Sequence, residues 1–137
     1  MKLVLDAEAL VALLDRGHGA HREVRSALER ATRLGHDVWM PTVTLAELYR
    51  GQARSQAVDA LLSRWDPVIR LRDTDRRLSR LVGGVLHAAG SGSEDLVDAS
   101  AIAVGLEDDR AVVLTGDPRD LERLGAPYPT VTVVALP

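Results

Sequence analysis

Cysteine is absent from this 137-residue chain, which excludes disulfide frameworks, thiolate zinc sites and cysteine nucleophiles together. Phenylalanine is absent too, and the aromatic residues are only Trp39, Trp65, Tyr49 and Tyr128. So few argue against a surface that stacks bases in the manner of RNA-recognition sheets. Lysine occurs once, as Lys2, against sixteen arginines. Genomic base composition accounts for that bias, although arginine also suits bidentate recognition of phosphate and carboxylate. No apolar run approaches the roughly 20 residues needed to span a bilayer. Met1-Lys2-Leu3-Val4-Leu5-Asp6 holds one basic residue and meets an acid at once, which does not fit a signal peptide. A soluble cytoplasmic protein without a membrane partner is expected, with one domain over 1–137, a common domain length. The net charge of −3 argues against coating nucleic acid by bulk charge. No Gly-x-x-x-x-Gly-Lys loop or Gly-x-Ser-x-Gly elbow is present, which sets aside P-loop NTPases and α/β-hydrolases.

What is present alternates between short apolar runs and helical patterns. Strands are predicted at 2–5, 38–40, 67–71, 111–114 and 131–135, each apolar rather than alternating, as when helices cover both faces of a parallel sheet. Helices are predicted at 7–15, 21–34 with Gly35 as the residue beyond the C-cap, 42–53 and on through Trp65 after a break at Gly51, 73–89, 94–106 and 118–124. Gly90-Ser91-Gly92-Ser93 is the clearest loop. The alternation predicts an α/β fold with a mainly parallel central sheet.

Four acids fall at informative places. Asp6 ends the first strand, and Asp117 follows Val113-Leu114-Thr115-Gly116. Both positions lie at the carboxyl edge of a parallel sheet, where open α/β folds bind ligands. Each is also a favoured N-cap, and capping is compatible with ligation because a carboxylate has two oxygens. Glu47 has two readings: partner of Thr44 in a capping box, or an inward-pointing acid flanked by Leu45, Ala46 and Leu48. Asp98 is the hardest to explain structurally. It sits in Leu96-Val97-Asp98-Ala99-Ser100-Ala101-Ile102, apolar around most of the helix, where an unpaired charge is costly. A bound cation is the simplest compensation. Asp95, three residues earlier, either joins that cluster or favours the helix dipole. Converging carboxylates repel one another unless neutralised. Hard oxygen donors, without cysteine or a His-x-x-x-His pair, point to Mg²⁺ or Mn²⁺ rather than zinc. Such a site suits phosphodiester hydrolysis. His18 and His21 follow a glycine-rich break and read as an exposed helix face rather than a metal pair.

At these residues the sequence resembles the PIN-domain family, and within it the VapC-type ribonuclease toxins of type II toxin–antitoxin systems. The elements are Leu3-Val4-Leu5-Asp6, the stretch Pro41-Thr42-Val43-Thr44-Leu45-Ala46-Glu47-Leu48-Tyr49-Arg50-Gly51, then Asp95-Leu96-Val97-Asp98-Ala99, and Val113-Leu114-Thr115-Gly116-Asp117-Pro118. The resemblance covers essentially the whole chain. It implies a three-layer α/β/α sandwich, Mg²⁺-dependent endoribonuclease activity on RNA, and a homodimer neutralised by a cognate antitoxin. By position, Asp6, Glu47, Asp98 and Asp117 match the family's four acids, with Asp6, Asp98 and Asp117 expected to hold the metal. One departure stands out: many members carry Ser or Thr where this chain has Glu8. Glu8 either adds a carboxylate or faces solvent. Thr115 matches the family's small hydroxyl residue two before the fourth acid, within reach of a carboxylate. Arg16 and Arg50 either contact RNA phosphate or an antitoxin carboxylate, or remain solvated.

The rival reading is a catalytically silent PIN-like module that binds protein or regulates. A receiver-like domain also carries acids at this edge, but it needs a lysine after a late strand, and Lys2 is the only lysine.

Overall fold

In the computed structural model, which describes residues 1–137, the predicted apolar runs all form strands. They are β1 (Lys2–Leu5), β2 (Asp37–Pro41), β3 (Ile69–Arg72), β4 (Ala111–Thr115) and β5 (Val131–Ala135). The strands make one sheet in the order β3-β2-β1-β4-β5, and every neighbouring pair is parallel. β1 is central and wholly buried, and Leu5 lies opposite Leu114 of β4. Asp6 and Gly116, the residues after these two, therefore emerge side by side at the carboxyl edge.

Seven helices cover the two faces. They are α1 (Ala7–Leu14), α2 (His21–Leu34), α3 (Leu45–Leu48), α4 (Gln52–Arg64), α5 (Arg76–Ala88), α6 (Leu96–Leu106) and α7 (Pro118–Gly125). Successive side chains of a strand point to opposite faces, so each strand feeds two cores. Leu3 and Leu5 pack with Leu10, Leu28, Val58 and Leu61 of α1, α2 and α4. Val4 and Val113 pack with Leu78, Ile102 and Leu121 of α5, α6 and α7. This is the expected three-layer α/β/α sandwich, and it explains why the inner strands β1 and β4 lack polar alternation, whereas the edge strand β3, Ile69-Arg70-Leu71-Arg72, does alternate because it is less covered. No helix is long and apolar enough to cross a membrane.

The 42–53 stretch departs from the single helix expected. Thr42–Thr44 forms a 3-10 turn, α3 ends at Leu48, and α4 begins only at Gln52. Gly51 adopts φ +75° between them, a left-handed conformation open to glycine that reverses the chain direction. Asp75 starts α5 later than expected, accepting the Leu78 N–H at 2.8 Å as an N-cap. α2 ends at Gly35 as its sequence implies.

Helix α6 is central to the second core: every residue from Ala99 to Gly105 is buried. Ile102 is fully enclosed, so Ile102→Ala leaves a cavity and is expected to lower the unfolding free energy by about 3–4 kcal/mol, read as a reduced midpoint at unchanged slope in denaturant unfolding.

A candidate metal centre at the carboxyl edge of the sheet

Asp6 occupies the N-cap position of α1, yet its side chain makes no capping bond. The same holds for Asp117 before Pro118 at the start of α7. Asp75 does cap its helix, so the chain uses aspartate as a cap where that is its task. Asp6 and Asp117 leave their helix N–H groups alone, and their carboxylates are free for other partners.

Thr115 links the two. Its buried hydroxyl donates to Asp6 Oδ2 at 2.9 Å and accepts the Asp117 N–H at 3.1 Å. Asp6 is itself almost fully buried, so that bond fixes one oxygen and leaves the second available. Asp117 is exposed, and it is the backbone of this residue, not its carboxylate, that is tied into the site.

The tightest acid group lies beside them. A carboxylate oxygen from each of Asp95, Asp98 and Asp120 lies within 4.8 Å of those of the other two. Asp98 stands on the first turn of α6, half-buried. Its pKa is pushed up to about 6, first by desolvation and then by the charges of Asp6, Asp120, Glu47 and Asp95. No cation of the protein makes an ion pair or hydrogen bond with Asp98. Asp95 behaves oppositely: a hydrogen bond from Arg123 at 2.8 Å holds its pKa below the usual carboxylate range. Two acids one helical turn apart are thus shifted in opposite directions, because one accepts a guanidinium bond and the other is desolvated beside like charges without such a bond.

Glu47 matches neither of its two readings. Thr44 is helical rather than extended and makes no side-chain capping bond, so the capping box does not form; its buried hydroxyl has no partner. Nor is Glu47 turned into the core, for it is exposed. It nonetheless feels the site: partial desolvation and then the Asp6 charge raise its pKa, with Arg50 opposing. Arg50 itself folds back on the Ala46 and Tyr49 carbonyls.

Glu8 does not simply face solvent. Its Oε1 lies 2.7 Å from His18 Nε2, while His18 Nδ1 accepts the Ala20 N–H at 3.0 Å. With Nδ1 accepting, Nε2 carries the proton donated to Glu8. The Glu8 stem also lies over Gly116, where any Cβ would run into it. A larger residue at 116 would displace the chain that connects Thr115 to Asp117.

Of the four expected acids, Asp6, Glu47 and Asp98 feel one another's charges, and Asp117 stands apart from the three-acid group. Asp120 was missed by the sequence reading. The available signal was Asp117-Pro118-Arg119-Asp120: a second acid three residues on, in the first turn of a helix, repeating the Asp95–Asp98 spacing. A donor set made only of carboxylate oxygens, with its most desolvated member uncompensated, fits a hard divalent cation rather than zinc.

A five-stranded parallel sheet flanked by helices, with carboxylates gathered at its carboxyl edge, defines an α/β protein with a candidate metal centre. The chain belongs to the PIN-domain family, whose model matches residues 3–127. Solved structures similar over the whole chain include VapBC2 from Rickettsia felis bound to a DNA fragment from their promoter, at 17% identity, TM-score 0.68 and 100% of each chain. DNA-bound VapBC from Salmonella typhimurium aligns at 18% identity, TM-score 0.62 and 98% of each chain. VapBC-1 from nontypeable Haemophilus influenzae aligns at 18% identity, TM-score 0.59 and 98% of each chain. At these identities the likeness is one of fold. No curated protein matches the sequence.

The raised Asp98 pKa sets a sign for pH dependence. A carboxyl whose folded pKa of about 6 exceeds its ordinary 3.8 penalises the fold where it is ionised, and acidification through that window relieves the penalty. Metal-free protein is therefore expected to gain stability as pH falls from 7 toward 5. Asp98→Asn is expected to add about 1–2 kcal/mol at pH 7, after allowance for solvent screening, and to flatten that pH response in thermal unfolding.

Proposed function

We propose that this protein is a divalent-metal-dependent endoribonuclease, the toxin of a toxin–antitoxin pair, with Mg²⁺ as the working ion and Mn²⁺ as a substitute. The observation that carries this reading is Asp98: a half-buried carboxylate whose neighbours are carboxylates and whose pKa is raised to about 6. Asp6, Asp98 and Asp117 are the proposed ligands, Asp117 on its place just after β4 rather than on any carboxylate contact, with Asp120 added because its carboxylate lies within 4.8 Å of that of Asp98. Glu47 completes the acidic edge and shares the electrostatic field of Asp6.

The chain's own residues have distinct tasks in this scheme. Thr115 holds Asp6 by a 2.9 Å bond, so the deepest acid is positioned before any ion arrives. Helix α6 brings Asp98 to the edge on a rigid, buried support, and α7 brings Asp120. A divalent cation bound there supplies Lewis-acid polarisation of a phosphodiester and lowers the pKa of a water. The like charges that raise Asp98 repel RNA phosphates until the site is neutralised, so substrate binding depends on the metal. Phosphodiester chemistry of this kind needs no aromatic base-stacking platform, in keeping with four aromatic residues in the chain.

The partner reading rests on the VapBC assemblies that share the fold. A cognate antitoxin is the proposed protein partner, a homodimer the proposed active form, and the cytoplasm the proposed compartment. The second reading, a catalytically silent binding module, draws on Arg123, which already neutralises part of the acid group.

The two readings separate in one assay. Purified protein is expected to cleave RNA with Mg²⁺, to stop with excess EDTA, and to lose at least about 100-fold in rate as Asp6→Asn or Asp98→Asn. Undiminished cleavage by both variants refutes the metal mechanism, whereas no cleavage and no Mg²⁺ binding by calorimetry favours the silent module.

A further inference from the structure

Arg123 is the one cation bonded to the three-acid group. It projects from the last turn of α7, and its guanidinium makes three contacts that belong to three different segments. Nη2 donates to Asp95 Oδ2 at 2.8 Å and approaches Asp120 Oδ1 at 3.5 Å, while Nη1 donates to Ser91 Oγ at 2.7 Å. Ser91 lies in the loop before α6, Asp95 immediately precedes that helix, and Asp120 is on the first turn of α7. One planar, permanently charged group therefore ties together the segments that present Asp98 and Asp120. Asp98 is within reach of the same acids but receives no bond from Arg123.

We propose that Arg123 is a positioning residue, the resident counter-ion that holds Asp95 at 2.8 Å and Asp120 more loosely at 3.5 Å, leaving Asp98 as the member of the group without a bonded cation and the one most open to a divalent cation. Two consequences follow from the geometry. Three carboxylates within 4.8 Å repel strongly in a partly desolvated site, and the guanidinium offsets that repulsion in the metal-free protein. Asp95 then acts as an anchor between the two helices, one of its oxygens being committed to a charge-assisted bond at 2.8 Å. Arg123 fixes the distance between the starts of α6 and α7 through Ser91 and Asp95, and so sets the spacing of the carboxylates that remain. The cation part of this inference rests on the proposed metal function; the counter-ion part does not.

The test uses thermal unfolding of the full chain, with and without Mn²⁺, for the wild type, Arg123→Met, Arg123→Lys, Asp95→Asn and the double variant Arg123→Met/Asp95→Asn. Methionine keeps an apolar stem and removes only the charge and its bonds. Without metal, Arg123→Met is expected to lower Tm by about 3–6 °C. Arg123→Lys is expected to retain at least half of that loss, and the double variant to recover most of it, because the carboxylate that needed neutralising is gone. Added Mn²⁺ is expected to raise the Tm of Arg123→Met more than that of the wild type, the ion taking over the missing charge. A double variant as unstable as Arg123→Met overturns the counter-ion role and assigns the arginine to packing. Equal Mn²⁺ shifts in the wild type and Arg123→Met overturn the proposed division of the carboxylates. A wild type that shows no response to Mn²⁺ refutes the metal reading and the cation part with it, while recovery in the metal-free double variant still decides whether Arg123 is a counter-ion.

Discussion

Repulsion between carboxylates at the carboxyl edge of the sheet is the constraint around which this protein is arranged. Asp98 is half-buried on a helix whose next two turns are closed to solvent, and the charges of Asp6, Asp120, Glu47 and Asp95 add to the desolvation that raises its pKa. Such an arrangement costs folding free energy, because a desolvated anion gains nothing from anionic neighbours. It persists because the surrounding structure over-determines it. β1 and β4 place Asp6 and Thr115 side by side in the centre of the sheet, and α6 is gripped by the second hydrophobic core. The hydrophobic frame supplies the stability that holds the acids together.

The protein handles the acids of this edge in three different ways. Asp95 is neutralised by Arg123. Asp6 is desolvated but receives a hydroxyl donor. Asp98 is left with neither. Such uneven compensation among acids of one sheet edge sets this group apart from a solvated acidic surface, where every carboxylate has water for a partner. The Glu8–His18 pair borders the same region, and Glu8 is pressed over Gly116. The place where many family members carry a hydroxyl is thus filled by an acid that is already engaged with a histidine from the α1–α2 connection.

Much of this was legible in the sequence. Apolar runs without alternation identified the parallel sheet, since strands covered on both faces have no polar side. Asp98 stood out because aspartate inside an apolar helix has no ordinary structural use. Glu47 was less readable: a threonine three residues before a glutamate is a capping pattern, and nothing local reveals that Thr44 is helical and buried. Asp120 was missed because an acid in a helix's first turn satisfies the dipole without further explanation. His18 looked like an exposed residue beside glycines, and only the folded chain brings it to Glu8, ten positions away.

The sequence by itself determined the layered α/β class, the strands, and the presence of acids where strands give way to helices, because periodicity and burial are properties of short segments. Which acids meet was decided only by tertiary structure. Asp95 and Asp120 are 25 positions apart, and Thr115 reaches Asp6 across 109; those encounters depend on the strand order β3-β2-β1-β4-β5 and on how α6 and α7 pack. Electrostatic interaction falls off over a few ångströms once charges are screened. The difference between a neutralised Asp95 and an uncompensated Asp98 is therefore a matter of final distances, which no local pattern encodes.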